Sequence, residues 1–135
     1  MSLPKWAQTI LSPQLLLTDS DSINIRPVFT VPAGGAVVKI VAATSNDTVA
    51  RRITLLRTPS GGSAGLVDSL MIPAATTSEP VRHVNFLDPG RLTWLDPYDI
   101  QMHLGAGVVL SIKMETTISV GAEVSIFITA GEYAV

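Results

Sequence analysis

His83 and His103 are the chain's two histidines, twenty positions apart. Imidazole binds zinc, iron or copper, but a two-histidine centre needs at least one carboxylate as well, for which Asp88, Asp96 or Asp99 could serve. The two histidines lack the His-x-x-x-His spacing of a metal-binding helix, and each falls in a stretch that reads as a strand. They are expected at the surface, and no metal is assigned. Asp19-Ser20-Asp21 opens like a calcium loop, yet Asn24 and Thr30 stand where the loop needs its turn glycine and its bidentate glutamate. A turn held by local side-chain bonds is the expectation there. The Gly-rich run from Pro59 to Gly65 lacks the Lys-Ser/Thr ending of a phosphate loop and precedes a strand, and neither Ser60 nor Ser63 sits in a Gly-x-Ser-x-Gly elbow. With no cysteine, thiol catalysis, disulfides and cysteine-based zinc sites are excluded. Nothing here predicts an enzyme or a cofactor.

Charge offers more. Arg51, Arg52 and Arg57, with Arg82 and Arg91, form the candidate functional cluster. Alternation puts Arg51 and Arg57 on the side of Ile53 and Leu55, hence at the two ends of a strand, where they could reach carboxylates on a partner. Five arginines face three acids between residues 51 and 91, whereas one lysine faces five acids from residue 92 onward. Such an asymmetry favours head-to-tail contact between copies. A net charge of -2 and an aromatic content of 5% argue against nucleic acid as a partner. Trp94 and Tyr98, flanking Asp96-Pro97, are the aromatics available for a saccharide- or receptor-binding rim.

The elements that must position these residues are strands. In Val109-Leu110-Ser111-Ile112-Lys113-Met114-Glu115, Leu110, Ile112 and Met114 point one way and the polar residues the other. Val120 to Ile128 repeats the pattern, and the two read as a hairpin joined near Thr117-Ile118-Ser119. Residues 22–31, 36–44, 49–58, 66–72, 81–86 and 98–104 are short, rich in β-branched residues and bounded by Gly, Pro, Asn or Asp. No stretch carries a helical apolar stripe. About eight strands at this spacing predict an all-β fold, a β-sandwich of the jelly-roll type, over residues 14–135. Pro27 cannot donate to a ladder, so its strand is expected at an edge or with a bulge, open to another chain.

Residues 1–13 show no alternation and are expected to be an N-terminal arm, with Trp6, Ile10 and Leu11 as apolar contacts for the domain or for a neighbour. The chain has 47% hydrophobic but only 15% charged residues, against roughly a quarter in an average domain. So little charge points to surface hidden against other subunits. No apolar run approaches the ~20 residues of a spanning helix, and the first residues lack the pattern of a secretory signal, so folding in the cytoplasm where the chain is made is expected.

The run Phe29-Thr30-Val31-Pro32-Ala33-Gly34-Gly35-Ala36-Val37-Val38-Lys39-Ile40-Val41, followed by Ser45-Asn46-Asp47 and Arg52-Ile53-Thr54-Leu55-Leu56, resembles a family of small tailed-phage virion proteins. A later turn, Leu95-Asp96-Pro97-Tyr98-Asp99-Ile100-Gln101, matches the same pattern, and the resemblance spans residues 23–128. It departs at Gly35, where the family usually has Lys, and at Arg91-Leu92-Thr93-Trp94 before the later turn. The resemblance implies a β-sandwich or jelly-roll component of head, neck or tail. The small size favours a capsid decoration, or cement, protein on the outside of the virion, a dimer or trimer bound between subunits of the major capsid protein. It implies no catalytic residues.

Overall fold

The computed structural model describes residues 7–133. Their regular structure is ten β-strands and one 3-10 turn: β1 (Ala7–Leu11), β2 (Gln14–Leu17), the turn Asp19–Asp21, β3 (Arg26–Thr30), β4 (Ala36–Ser45), β5 (Arg51–Thr58), β6 (Gly65–Ile72), β7 (Arg82–Asn85), β8 (Met102–Leu104), β9 (Val109–Met114) and β10 (Val124–Tyr133). All pairings are antiparallel. In the first sheet β10 and β4 are central, β1 and β2 share the flank of β10, and β7 and β8 share the flank of β4; the second sheet runs β3-β9-β5-β6. The chain therefore crosses between sheets from β2 to β3, β3 to β4, β4 to β5, β6 to β7, β8 to β9 and β9 to β10. This is the jelly-roll form of the β-sandwich.

Alternation builds the core. Val41, Ala43, Val124, Ile126 and Ile128 from the first sheet meet Ile53, Leu55, Leu110, Ile112 and Met114 from the second, all buried. Burying such side chains contributes on the order of 1.5–3 kcal/mol each. Phe86, Leu87, Leu92 and Leu95, from the long β7–β8 connection, extend the same core. Every buried side-chain polar atom among the described residues has a hydrogen-bond partner.

The structure corrects the expected β9–β10 hairpin. β9 pairs with β3 and β5, whereas β10 pairs with β1, β2 and β4 in the opposite sheet. Both strands present an apolar face to one shared core, so their alternation is identical whichever sheet holds them. Residues 7–11, grouped with the arm, form β1 against the end of β10, with Ile10 opposite Gly131 and Leu11 opposite Ala130. This edge of β10 offers the backbone partners that a segment without alternation still needs. Pro27 lies on the edge strand β3, and the register with β9 shifts between Pro27 and Phe29.

Gly35 and Gly107 are among the glycines that close turns in left-handed backbone. Gly35 (φ 78°) closes the turn before β4, its N–H donating to the Pro32 carbonyl, and a Cβ there would stand 3.0 Å from the Leu104 carbonyl oxygen. Gly107 (φ 78°) precedes β9, where a Cβ would meet Ser60 Oγ at 2.9 Å. No described helix is long and apolar enough to cross a membrane.

Candidate functional site

One cleft opens where the edge of each sheet comes to the mouth of the sandwich. Arg57 and Leu110 are cross-strand partners, so Arg57 continues the inward side of β5 one step beyond the core, where a charged group can reach water. The β5–β6 hairpin, closed by the Gly62 N–H donating to the Pro59 carbonyl, brings Pro59, Ser63, Gly65, Leu66 and Val67 to one wall. Met102, His103 and Leu104 of β8 form the other wall, with Trp94 beside them. The cleft encloses about 490 Å³, within the range usual for small-ligand sites.

Trp94 owes its position to its neighbours. The Asp88 carbonyl accepts from the N–H groups of Arg91 and Leu92, and the Asp88 carboxylate caps Gly90 at 2.9 Å. Leu92 and Leu95 are buried on either side of a turn in which the Leu95 N–H donates to Leu92, and Trp94 is left 58% exposed. His103 is held on both nitrogens. The Gln101 amide nitrogen lies 3.1 Å from His103 Nε2, while Gln101 Oε1 accepts from Lys39 Nζ at 2.5 Å and so fixes the amide's orientation. His103 Nδ1 lies 2.8 Å from Tyr133 Oη, and the Tyr133 ring is nearly parallel to the imidazole.

Arg57 is the guanidinium of the cleft, with no acidic partner among the described residues. The other arginines of the basic segment are occupied. Arg82 pairs with Glu79, Arg91 with Asp68 at 2.7 and 3.1 Å, and Arg52 lies 3.4 Å from Ser69 Oγ. Arg51 is turned into the protein, its Nε donating to Asp47 at 2.8 Å and its other nitrogens to Thr116 and Ser119. Arg51 and Arg57 stand at the two ends of β5 as expected, six residues or about 20 Å apart, and Arg51 differs from the expectation in that its guanidinium is engaged within the chain.

Asp47 is the most constrained ionisable group described. Burial of this fully enclosed carboxylate would by itself raise its pKa, but bonds from the Ser119 and Val49 backbone N–H groups and from the Arg51 and Ser119 side chains outweigh burial and hold it well below the usual carboxylate range. This constellation joins the β4–β5 and β9–β10 crossings and has no open face for a substrate. It is a clasp.

The remaining expected contacts are scattered. Trp6 lies outside the described residues. Ile10 is 80% exposed, whereas Leu11 packs against the core. His83 and His103 sit opposite Thr44 and Val37 of β4, seven residues or about 23 Å apart, so they share no site. Among the described residues no group of three His, Cys, Asp or Glu could hold a metal ion. Asp21 of the 3-10 turn accepts from the Thr18 N–H and pairs with Arg26, in keeping with the local turn expected there. Tyr98 is 97% exposed and does not line the cleft. No spacing could have announced the cleft, because Arg57, Trp94 and His103 meet only through the sheet crossings.

A different surface is the outer face of the first sheet. Its cross-strand rows are Leu16, Ser125, Thr44 and His83; Gln14, Phe127, Ala42 and Asn85; Thr129 and Ile40; and Ile10, Gly131, Val37 and His103. No Asp, Glu, Lys or Arg stands in these paired rows, although Lys39, exposed in the register shift of β4, reaches Asp99 and Gln101 at the same face, and Ile10, Leu16 and Phe127 are exposed.

No protein-family model and no curated protein matches the sequence. Among solved structures, the chain is similar to Eiger TNF from S. frugiperda, with a TM-score of 0.46 and 11% identity over 94% of each chain. It is also similar to AlgX of Pseudomonas aeruginosa, with a TM-score of 0.39 and 15% identity over 94% of this chain and 27% of AlgX. These likenesses are distant.

Proposed function

We propose that this chain is a virion structural protein of the capsid decoration type, which associates with itself and binds between major capsid subunits to stabilise the shell. The observation that carries the reading is the charge-poor outer face of the six-stranded sheet, on which Lys39 is the one charged residue of β4. Charges are what ordinarily keep a sheet face in water, and a face with so few of them is suited to burial against another subunit. Two ten-residue central strands with a flanking strand position on each side span about 33 by 19 Å, on the order of 600 Å², approaching the ~800 Å² that each partner buries in a standard interface. The resemblance of residues 29–56 and 95–101 to tailed-phage virion proteins supports the virion setting. The mechanism is mass action: many copies that bind only the closed lattice lower its free energy relative to open or dissociated states.

The test adds purified protein to undecorated tailed-phage capsids. Saturable binding and a raised disruption temperature are expected, both weakened by Phe127→Asp. Capsids that neither bind the protein nor gain stability would overturn the reading.

A further inference from the structure

We infer that the cleft between β6 and β8 is a binding site for an acidic saccharide, with a pyranose ring lying against Trp94 and its carboxylate taken by Arg57. The inference goes beyond the capsid reading and does not rest on it.

Three observations carry it. Arg57 brings a guanidinium fork to the mouth of a cleft of about 490 Å³ and meets no acidic group among the described residues, although Arg82, Arg91, Arg51 and Arg26 of the same chain each have one. A planar fork of donors matches a carboxylate better than any neutral group. Trp94 stands 58% exposed in the same lining, held there by the buried Leu92 and Leu95. An indole that can no longer bury itself in its own core supplies the flat apolar surface on which the C–H face of a sugar packs, while the ring's hydroxyls remain wet. Met102, Leu104 and Val67 are the apolar part of the lining, and Ser63 adds a hydroxyl. His103 has both ring nitrogens engaged by Gln101 and Tyr133, so Arg57 is the guanidinium of the lining that is open to a ligand.

This combination of one cation, one exposed aromatic and a short cleft favours a sugar acid over an acidic peptide. A peptide would use the free backbone edge of β6 over several residues and would need pockets for alternate side chains along it. The cleft instead has its cation and its aromatic in one short lining.

The test titrates the protein with glucuronate- and galacturonate-containing oligosaccharides, their neutral counterparts and an oligoglutamate peptide, read by calorimetry and by tryptophan fluorescence. The uronates are expected to bind, with about tenfold or greater preference over the neutral sugars, as loss of one charge-assisted pairing would produce. Arg57→Gln should erase that preference, and Trp94→Ala should abolish binding of both sugar classes. Tyr98→Ala, outside the cleft, should change nothing. Thermal melts of each variant verify folding, since both altered side chains are exposed. Binding of oligoglutamate but not of the uronates, no binding at millimolar sugar, or uronate binding unchanged in Arg57→Gln would each overturn the inference. Loss of capsid binding would leave it standing, so the two readings fail separately.

Discussion

Arg51 Nε donates to Asp47 Oδ2 at 2.8 Å, and the Asp47 side chain is completely buried while that of Arg51 is 14% exposed. The same carboxylate accepts from Ser119 twice, through its backbone N–H at 3.0 Å and its hydroxyl at 2.8 Å. Two crossings between the sheets are thus tied to one side chain. The Asp47 carbonyl extends the clasp by accepting from the Ala75 N–H.

Removing either partner strands the other. Asp47→Ala should destabilise the fold by about 3–5 kcal/mol, the usual cost of breaking a buried pair, and Arg51→Ala should cost a comparable amount. Urea denaturation at neutral pH measures both. A loss under 1 kcal/mol for Asp47→Ala would mean that the clasp contributes little.

The same carboxylate sets an acid limit. Its folded pKa lies below the unfolded value of 3.8, so the unfolded state takes up protons first as pH falls. The stabilisation is fully present above that value and is lost progressively below it. Denaturation midpoints should be flat near neutrality and fall between pH 4 and 2, roughly the window set by ordinary carboxylates. Asp47→Asn, less stable at pH 7, should show a shallower decline over that window.

Gly35 carries φ 78° and faces the Leu104 carbonyl. Gly35→Ala should cost about 1–2 kcal/mol, the penalty for an L-residue in left-handed backbone, with the 3.0 Å approach adding to it. Gly35→Lys, the residue usual in the resembling family, should be no better tolerated. Thermal melts of the two variants decide this; unchanged melting would mean that the turn readily adopts another backbone.

If the charge-poor sheet face is covered by a second copy, Phe127→Asp combined with Leu16→Glu should shift the sedimenting species towards monomer while leaving circular dichroism unchanged. Both side chains are exposed in the single chain, at 39% and 48%. A wild type that sediments as a monomer at every concentration would exclude self-association through this face.

Which residues face inward and where turns fall are legible in the order of the amino acids, because alternation and turn chemistry are local properties of the chain. Leu110, Ile112 and Met114 could be assigned to the core from their spacing, Arg51 and Arg57 to the ends of one strand, and Pro27 to an edge, since a missing N–H is a property of the residue. Segments 36–44, 66–72 and 81–86 matched β4, β6 and β7 to within one or two residues. Which sheet each strand joins is set by contacts between distant segments. A two-residue period labels the inner face of a sandwich without saying from which side it is approached, so β9 and β10 read as a hairpin and lie in opposite sheets. The segment 7–11 had no pattern to read because its place depends on the open flank of β10 rather than on its own side chains. Likewise, Asp47 is four residues from Arg51, but Ser119 lies 72 positions away, and Arg57 reaches Trp94 and His103 only through the folding of the two sheets. The clasp and the cleft are products of long-range closure, which requires the whole core to form before either exists.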